Sequence, residues 1–220
     1  MIDAAISIQK SGTAARVDTI PCVFIVDDDI SVRESLELLV EAAGWQAMPF
    51  ACAAEFLACP RVSAPSCLVL DVGLPDVNGL DLQDRFAPDG ATTPIVFITG
   101  YVDIPTTVRA MKAGAVEFLT KPLRDDALLI AIERALEVSS ARLRREAEMV
   151  ALRNRYASLT RREVEVMTLV VAGRLNKQVA GELGISEITV KAHRGKLMRK
   201  MTARSLPDLV KMAARLGISA

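Results

Sequence analysis

The sequence predicts two domains of different fold class: an α/β domain with a doubly wound, five-stranded parallel sheet, and an all-α domain that contains a helix-turn-helix. Short apolar runs alternate with helical patterns up to about residue 124, and only helical patterns follow. The charge divides similarly, since residues 21–138 carry 8 Lys and Arg against 18 Asp and Glu, and residues 157–220 carry 12 against 5. The formal net charge of zero therefore hides an acidic domain followed by a basic one.

The first strand and helix set the pattern of the acidic domain. Cys22–Val26 is a continuous apolar run, typical of a parallel strand buried on both faces. Apolar residues then recur at helical spacing up to Gly44, a residue type that often follows a helix end. The predicted strands are Cys22–Val26, Trp45–Phe50, Cys67–Leu70, Ile95–Ile98 and Ala115–Leu119, and the helices between them are Ser31–Ala43, Ala53–Ala58, Leu80–Phe86 and Pro105–Ala113. Because parallel strands need crossover connections, this alternation favours helices on both faces of the sheet.

A helical pattern continues from Asp125 to Tyr156, and it allows two interpretations. Apolar residues recur every seven positions at Leu129, Leu136, Leu143 and Val150. This seam could pair with the same helix of a second copy. Alternatively, the helix packs on its own domain over its first half and is solvated beyond it.

The basic domain carries the start and stop signals of three helices. Thr160 and Glu163 have the spacing of a capping box, which predicts a helix start. We expect Asn176 to cap a second helix, Gly184 to allow the turn after it, and Ser186 to cap a third. The predicted apolar stripe of the third helix is Ile188, Val190, Leu197 and Met201. Its other faces are basic, and this arrangement is typical of a helix-turn-helix that enters the major groove of DNA.

The predicted segments are a flexible leader over residues 1–20, a domain over 21–138, a linker helix over 125–156 that overlaps it, and a second domain over 157–220. With no secretory signal and no apolar run of membrane-spanning length, we expect a cytoplasmic protein without membrane contact. The four cysteines lack the spacing of a metal site and are expected to be buried filler. His193, the only histidine, lies in the basic domain, which excludes a histidine general base from the acidic one.

Polar residues follow the predicted strands of the acidic domain. Asp27 and Asp28 follow the first strand, Asp71 the third and Thr99 the fourth, and Lys121 lies just beyond the fifth. The carboxyl ends of parallel strands meet at one edge of a sheet, so we expect these side chains to lie together. Three adjacent carboxylates repel one another unless a hard divalent cation such as Mg²⁺ lies between them. With a lysine and a hydroxyl at its rim, the cluster predicts a site for a phosphoryl group in transfer.

These residues resemble those of a response-regulator receiver domain, which has a CheY-like, flavodoxin-like fold. The resemblance covers about residues 21–138 and rests on Asp27–Asp28, Leu70–Asp71 with Leu74–Pro75 and Gly79, Thr99–Gly100, and Lys121–Pro122. It implies that Asp71 is the phosphoacceptor for a sensor histidine kinase. It also implies that Asp28, Asp71 and the backbone carbonyl of Gly73 ligate Mg²⁺, and that Asp27 assists through water.

The same resemblance assigns roles to three further side chains. Lys121 would pair with phosphoryl oxygens, and the Thr99 hydroxyl would turn inward to bind one of them. Phe118 occupies the position of a switch aromatic that fills the space Thr99 leaves. The family also favours a cis peptide bond before Pro122, and phosphorylation is expected to change the surface around the fourth helix and fifth strand.

Two other interpretations of the acidic cluster were weighed. A Mg²⁺-dependent phosphohydrolase could use Asp71 as a covalent nucleophile, but such enzymes usually carry a second acid two residues later, where this chain has Gly73. A regulator that binds partners without being phosphorylated is the other possibility. Such proteins tend to lose the lysine or one acid, and this chain keeps them all, so we expect a regulator that is phosphorylated and is not an enzyme.

The basic domain resembles a LuxR-type effector domain, and the two domains together resemble the FixJ/NarL family. The similarity rests on Leu159–Glu163, Asn176–Lys177, Ala180, Leu183, Ile185–Ser186, Thr189–Lys191 and His193. It implies binding to double-stranded promoter DNA, with Lys191, Ala192 and Gly195 facing the groove. Because Gly195 has no side chain, Arg194 or Lys196 could contact bases instead. The remaining expected DNA contacts are Lys177, Ser186, Thr189 and Arg199, and the expected protein partners are a second copy when phosphorylated and RNA polymerase.

Overall fold

The computed structural model describes residues 20–60, 62–75, 77–86, 93–101 and 103–218, with the side chains of residues 84–86 excepted. The chain divides into two compact units, of which the first ends at Ser140 and the second begins at Ala141. Helix α5 contributes residues to both units, because it runs from Asp125 to Ala157. The prediction of an α/β domain followed by an all-α domain is confirmed.

A five-stranded parallel sheet forms the centre of the first unit. Its strands are β1 (Cys22–Val26), β2 (Gln46–Phe50), β3 (Ser66–Asp71), β4 (Ile95–Thr99) and β5 (Glu117–Thr120), in the spatial order β2-β1-β3-β4-β5. The strand order reverses at β1, so the loops after β1 and β3 leave the sheet side by side. In an open parallel sheet, such a switch point is where ligands bind.

Helices cover both faces of the sheet, as the sequence predicts. They are α1 (Ile30–Ala42), α2 (Ala53–Ala58), α3 (Gly79–Phe86), α4 (Ile104–Lys112) and the first half of α5. Alternate residues of β1 enter two separate cores: Phe24 packs with Phe56 of α2, and Ile25 packs with Leu36 of α1 and Leu128 of α5. Because each side chain of a buried strand points to one face or the other, the continuous apolar runs stabilise both layers.

The long helix packs in the cores of both units, and pairing of its seam with a second copy stays a prediction. Leu136 lies in the core that α1 and α5 share, so this residue of the seven-residue seam is not free to pair with a second copy. The Ser139 hydroxyl also accepts a 2.9 Å hydrogen bond from the Ser66 N–H. Beyond Ser140 the helix is not simply solvated, because Leu152 is 4% exposed and packs in the core of the second unit.

The second unit consists of the end of α5 followed by α6 (Arg161–Val171), α7 (Asn176–Leu183), α8 (Glu187–Met201) and α9 (Leu206–Arg215). The Thr160–Glu163 capping box, the left-handed Gly184 and the Ser186 cap are all found where predicted. The N-cap of α7 is Leu175, whereas we had expected Asn176. Helix α9 was not predicted, although Ser205 caps it and Pro207 lies in its first turn.

One residue of α8 departs from the predicted apolar stripe. Val190, Leu197 and Met201 are fully buried, as predicted, but Ile188 is 80% exposed. Ile188 lies two residues before Val190, and that spacing places two residues on different sides of a helix. No helix among the described residues is long and apolar enough to cross a membrane.

Candidate functional site

Three aspartates meet at the switch point of the sheet. Asp27 directly follows β1 and is fully buried, Asp28 is exposed, and Asp71 is the last residue of β3. One carboxylate oxygen from each lies within 4.8 Å of the others. The parallel register of β1 and β3, which aligns Val26 with Leu70, brings the three side chains to the same edge.

Lys121 joins two of these aspartates. Its Nζ lies 2.6 Å from Asp27 Oδ2 and 2.5 Å from Asp71 Oδ2. Its backbone N–H donates to the carbonyl of Thr99 at 2.7 Å, which ties the end of β5 to the end of β4. The Lys121–Pro122 peptide bond is cis, as the resemblance implies.

Burial and the contacts with Lys121 shift the pKa values of the cluster. Burial raises the pKa of Asp27, and the hydrogen bonds from Lys121 and from the Asp29 N–H offset this only in part. Burial by itself would lower the pKa of Lys121, but its hydrogen bonds and charge interactions with Asp27 and Asp71 raise it overall. Lys121 pairs with two of the three carboxylates, and a hard divalent cation would balance the remaining charge.

The remaining oxygens of the cluster fit such a cation. Asp27 Oδ1 accepts from the Asp29 N–H and Asp71 Oδ1 accepts from the Gly73 N–H, each at 2.9 Å, and carboxylate oxygens have more than one lone pair. Together with the exposed Asp28 carboxylate they form an all-oxygen ligand set of the kind that Mg²⁺ prefers. The structure gives Gly73 a role through its N–H, and the role of its carbonyl as a ligand stays a prediction.

The two predicted switch residues lie on the neighbouring strands β4 and β5. Thr99, 5% exposed, donates its hydroxyl proton to the carbonyl of Tyr101 at 2.8 Å and accepts from the Tyr101 N–H at 3.2 Å. The Phe118 ring is partly buried, with its centroid 6.1 Å from that of Phe97. The Thr99 hydroxyl is thus bound to the β4–α4 loop, and it would have to leave Tyr101 to reach a phosphoryl group.

Sequence reasoning missed one residue at this site. Arg33, in the first turns of α1, donates from Nη1 to the backbone carbonyl of Asp27 at 2.6 Å. Asp29 caps the same helix by accepting from the Ser31 N–H at 2.8 Å. The sequence contained a signal for this contact, because α1 begins directly after Asp27–Asp29. A residue four positions after the N-cap lies about one helical turn further on, close to the loop that precedes the helix.

The predicted nucleic-acid contacts differ in their exposure to solvent. The exposed residues are Lys177 on α7, Ser186 at the cap of α8, and Lys191, Ala192, Gly195, Lys196 and Arg199 on α8. Thr189 is half-buried and pairs with the Ser186 hydroxyl at 2.8 Å. Arg194 is also half-buried, and its guanidinium donates to Asn176 Oδ1 at 2.8 Å. The structure therefore gives Arg194 a contact between α7 and α8, and Lys196 keeps the more exposed position.

Lys200 has a structural role. Its Nζ lies 2.6 Å from Glu163 Oε2 and 3.0 Å from the carbonyl of Ser158. Glu163 is 2% exposed and also accepts from the Thr160 N–H at 2.8 Å. The hydrogen bond from Lys200, followed by those from Thr160, holds the pKa of Glu163 below its usual value despite burial.

The fold and these two sites define a receiver domain joined to a helix-turn-helix DNA-binding domain. Residues 23–133 match the response regulator receiver domain, and residues 157–213 match the luxR family of bacterial regulatory proteins. The chain belongs to the response-regulator family, in the group with a LuxR-type DNA-binding domain. A receiver of this family has a sensor kinase as its partner, and its helix-turn-helix domain binds DNA.

Full-length relatives support this assignment. Nodulation protein W of Bradyrhizobium diazoefficiens is 48% identical over 95% of this chain and 92% of its own length. The transcriptional regulatory protein FixJ of the same organism is 40% identical over 89% of this chain and 96% of its own length. Among solved structures, the response regulator StyR is 47% identical, with a TM-score of 0.81 over 90% of this chain and all of the matched chain.

Proposed function

We propose that Asp71 accepts a phosphoryl group from the phosphohistidine of a sensor kinase, and that phosphorylation switches DNA binding by the second unit to regulate transcription. The observation that carries the proposal is the cluster of Asp27, Asp28 and Asp71 within 4.8 Å, with Lys121 bound to two of them. This arrangement combines a nucleophile, a cation site and a counter-charge.

In the proposed reaction an oxygen of the Asp71 carboxylate attacks phosphorus. The bond between phosphorus and the donor imidazole nitrogen breaks, and its electron pair leaves with the imidazole. Asp27, Asp28, Asp71 and the Gly73 carbonyl would hold Mg²⁺, which would supply positive charge to the phosphoryl oxygens. The Gly73 N–H, which donates to Asp71 Oδ1, orients the carboxylate for attack.

Product formation changes what Lys121 and Thr99 can bind. The acyl phosphate leaves Asp71 with no free carboxylate charge, so Lys121 pairs with a phosphoryl oxygen instead. The Thr99 hydroxyl exchanges its hydrogen bonds with Tyr101 for one to the phosphoryl group. Phe118 moves toward the space that Thr99 leaves, and this shift alters the surface of α4 and β5.

We place the contact of a phosphorylated homodimer on α4. Ile104, Val108 and Met111 are 78%, 43% and 43% exposed, and their spacing of four and three residues puts them on one face of the helix. This apolar face directly follows the loop to which Thr99 is bound. Ile104→Asp should abolish phosphorylation-dependent dimers in analytical ultracentrifugation, whereas Leu38→Asp on α1, which is 69% exposed, should not.

The phosphohydrolase alternative is not favoured. Gly73 stands where such an enzyme would carry its general acid, and an added Cβ there would meet only Asp71 Oδ1, at 3.7 Å. Asp71 therefore has no second acid at that position to assist turnover. We propose a signalling role in which the phosphoryl group is stored, and contact with RNA polymerase at the promoter is part of that role.

The test is phosphorylation by acetyl phosphate and Mg²⁺, followed by mass spectrometry of the intact protein. Wild type should gain one phosphoryl group and Asp71→Asn none. Asp81→Asn, which changes an exposed carboxylate on α3, is the matched control and should react like wild type. A gain on Asp71→Asn equal to that on wild type would refute the assignment of the phosphoacceptor.

A further inference from the structure

Helix α8 presents a continuous exposed face that includes an apolar side chain. Ile188, Lys191, Ala192, Gly195, Lys196 and Arg199 are all exposed. Their spacing of three, four and seven residues places them on one side of the helix. Ile188 lies about 180° around the helix from the fully buried Leu197, so it is at the centre of this face.

Two small residues make this face flat beside Ile188. Ala192 has only a methyl group, and a Cβ added at Gly195 would meet nothing within 4 Å. No neighbour within the described chain therefore requires glycine there, although glycine in a helix costs about 1 kcal/mol relative to alanine. A close approach of the helix backbone to a ligand is the other common reason for glycine, and it fits an exposed position.

The charge around this face identifies the ligand as DNA. Lys191, Lys196 and Arg199 share this exposed face with Ile188, and the helix follows the turn of a helix-turn-helix. In that motif the first turns of the second helix contact base edges in the major groove. Ile188 is the second residue of α8 and lies in its first turn.

We infer that Ile188 contacts the C5-methyl group of a thymine and selects thymine at one position of the DNA site. The thymine methyl is the apolar group that base pairs present in the major groove, and an exposed isoleucine has no polar atom with which to bind the other edges. This inference rests on the proposed DNA binding and adds a base-contacting residue to it. Lys191 and Arg199 then contribute charge, and Ile188 contributes a preference for one base.

The experiment begins with selection of a DNA site by the full-length, acetyl-phosphate-treated protein from a random pool. Each thymine of the site is then replaced singly by deoxyuridine, which lacks only the methyl group, and affinities are measured. Wild type should lose about fourfold in affinity at one thymine per half-site, the loss expected for one buried methyl group. Ile188→Ala should lose this difference at that thymine and bind both DNAs equally.

The control variant is Leu38→Ala, which shortens a comparably exposed side chain in the first unit and should keep the thymine preference. If Ile188→Ala still distinguishes thymine from deoxyuridine at every position, the inference is wrong and the proposed DNA binding stands. If Ile188→Ala binds every DNA as wild type does but no longer dimerises, Ile188 contacts protein and the inference is wrong. If wild type selects no DNA, both the inference and the proposed function fail.

Discussion

Each unit holds a buried carboxylate against a lysine, but the two pairs have opposite electrostatic balance. Asp27 shares Lys121 with Asp71 and lies beside Asp28, and burial raises its pKa. Glu163 has Lys200 to itself and also accepts from Thr160, so its pKa is lowered. The first site has three carboxylates and one lysine, whereas the Glu163 carboxylate of the second site has its own lysine and a further hydrogen-bond donor. Carboxylates that lack enough positive charge around them therefore indicate a ligand site, whereas a buried carboxylate with its own lysine and hydrogen-bond donors indicates a structural role.

Addition of Mg²⁺ should separate the two sites most strongly. At about 100 times its dissociation constant, Mg²⁺ should raise the free energy of unfolding of the receiver by about 2.7 kcal/mol. Trp45, the only tryptophan, packs in the receiver core, so its fluorescence follows this unit in urea. Asp28→Asn should lose most of the gain and Asp81→Asn should keep it. An equal gain in all three proteins would contradict the cation site.

Removal of Lys200 should destabilise the helix-turn-helix unit regardless of Mg²⁺. Lys200→Met leaves the Glu163 carboxylate buried without its counter-charge and should cost about 2 kcal/mol. Breaking a fully buried pair costs about 3–5 kcal/mol, and the partial exposure of Lys200 reduces the effect. Circular dichroism during urea unfolding measures the change, with the exposed Lys196→Met as control. Equal losses in the two variants would mean that the Glu163 pair contributes nothing specific.

Two adjacent aspartates should respond in opposite directions when no metal is added. Asp28→Asn removes one of three mutually repelling carboxylates and should stabilise the receiver by about 1 kcal/mol. Asp29→Ala removes the N-cap of α1 and should destabilise it by about 1 kcal/mol. Urea unfolding monitored at Trp45 in the presence of a chelator gives both values. Destabilisation by Asp28→Asn would show that the acid cluster carries no excess charge.

The smallest expected effect is the pH dependence of the Glu163 pair. Since the folded-state pKa of Glu163 lies below its ordinary value of 4.5, its contribution to stability is present above pH 4.5 and is lost as the pH falls through the folded-state pKa. Glu163→Gln should flatten this part of the pH profile by less than about 1 kcal/mol, because Lys200 is partly in water. Glu182→Gln, exposed on α7, is the control. An unchanged slope in Glu163→Gln would contradict the assignment.

For Asp27 the sign is reversed. Its pKa is raised in the folded protein without metal, so protonation favours the folded state and its unfavourable contribution decreases as the pH falls. Acid therefore relieves the receiver cluster and weakens the Glu163 pair. The two directions differ because burial outweighs the hydrogen bonds at Asp27, whereas the hydrogen bonds from Lys200 and Thr160 outweigh burial at Glu163.

Features that depend on a few neighbouring residues could be predicted from the sequence alone. The apolar runs predicted five parallel strands, Thr160 with Glu163 predicted the start of α6, and Gly184 predicted the turn after α7. Because parallel strands end at a common edge, Asp27, Asp71 and Lys121 could also be placed together before the fold was known. These signals are local, or follow from one topological rule.

Long-range packing, in contrast, sets which helix faces are buried and which partner each lysine binds. Leu136 and Leu152 of α5 are buried in different units, and Ile188 of α8 is exposed, although all three are apolar and helical. Helical spacing groups residues by face, but the identity of the covered face depends on distant segments that pack there. Two lysines of α8 differ in the same way. Lys200 binds Glu163, which is 37 residues away in the sequence, whereas Lys196, four residues before Lys200, is exposed to solvent. Packing, and not residue type, sets the distance from each lysine to a partner.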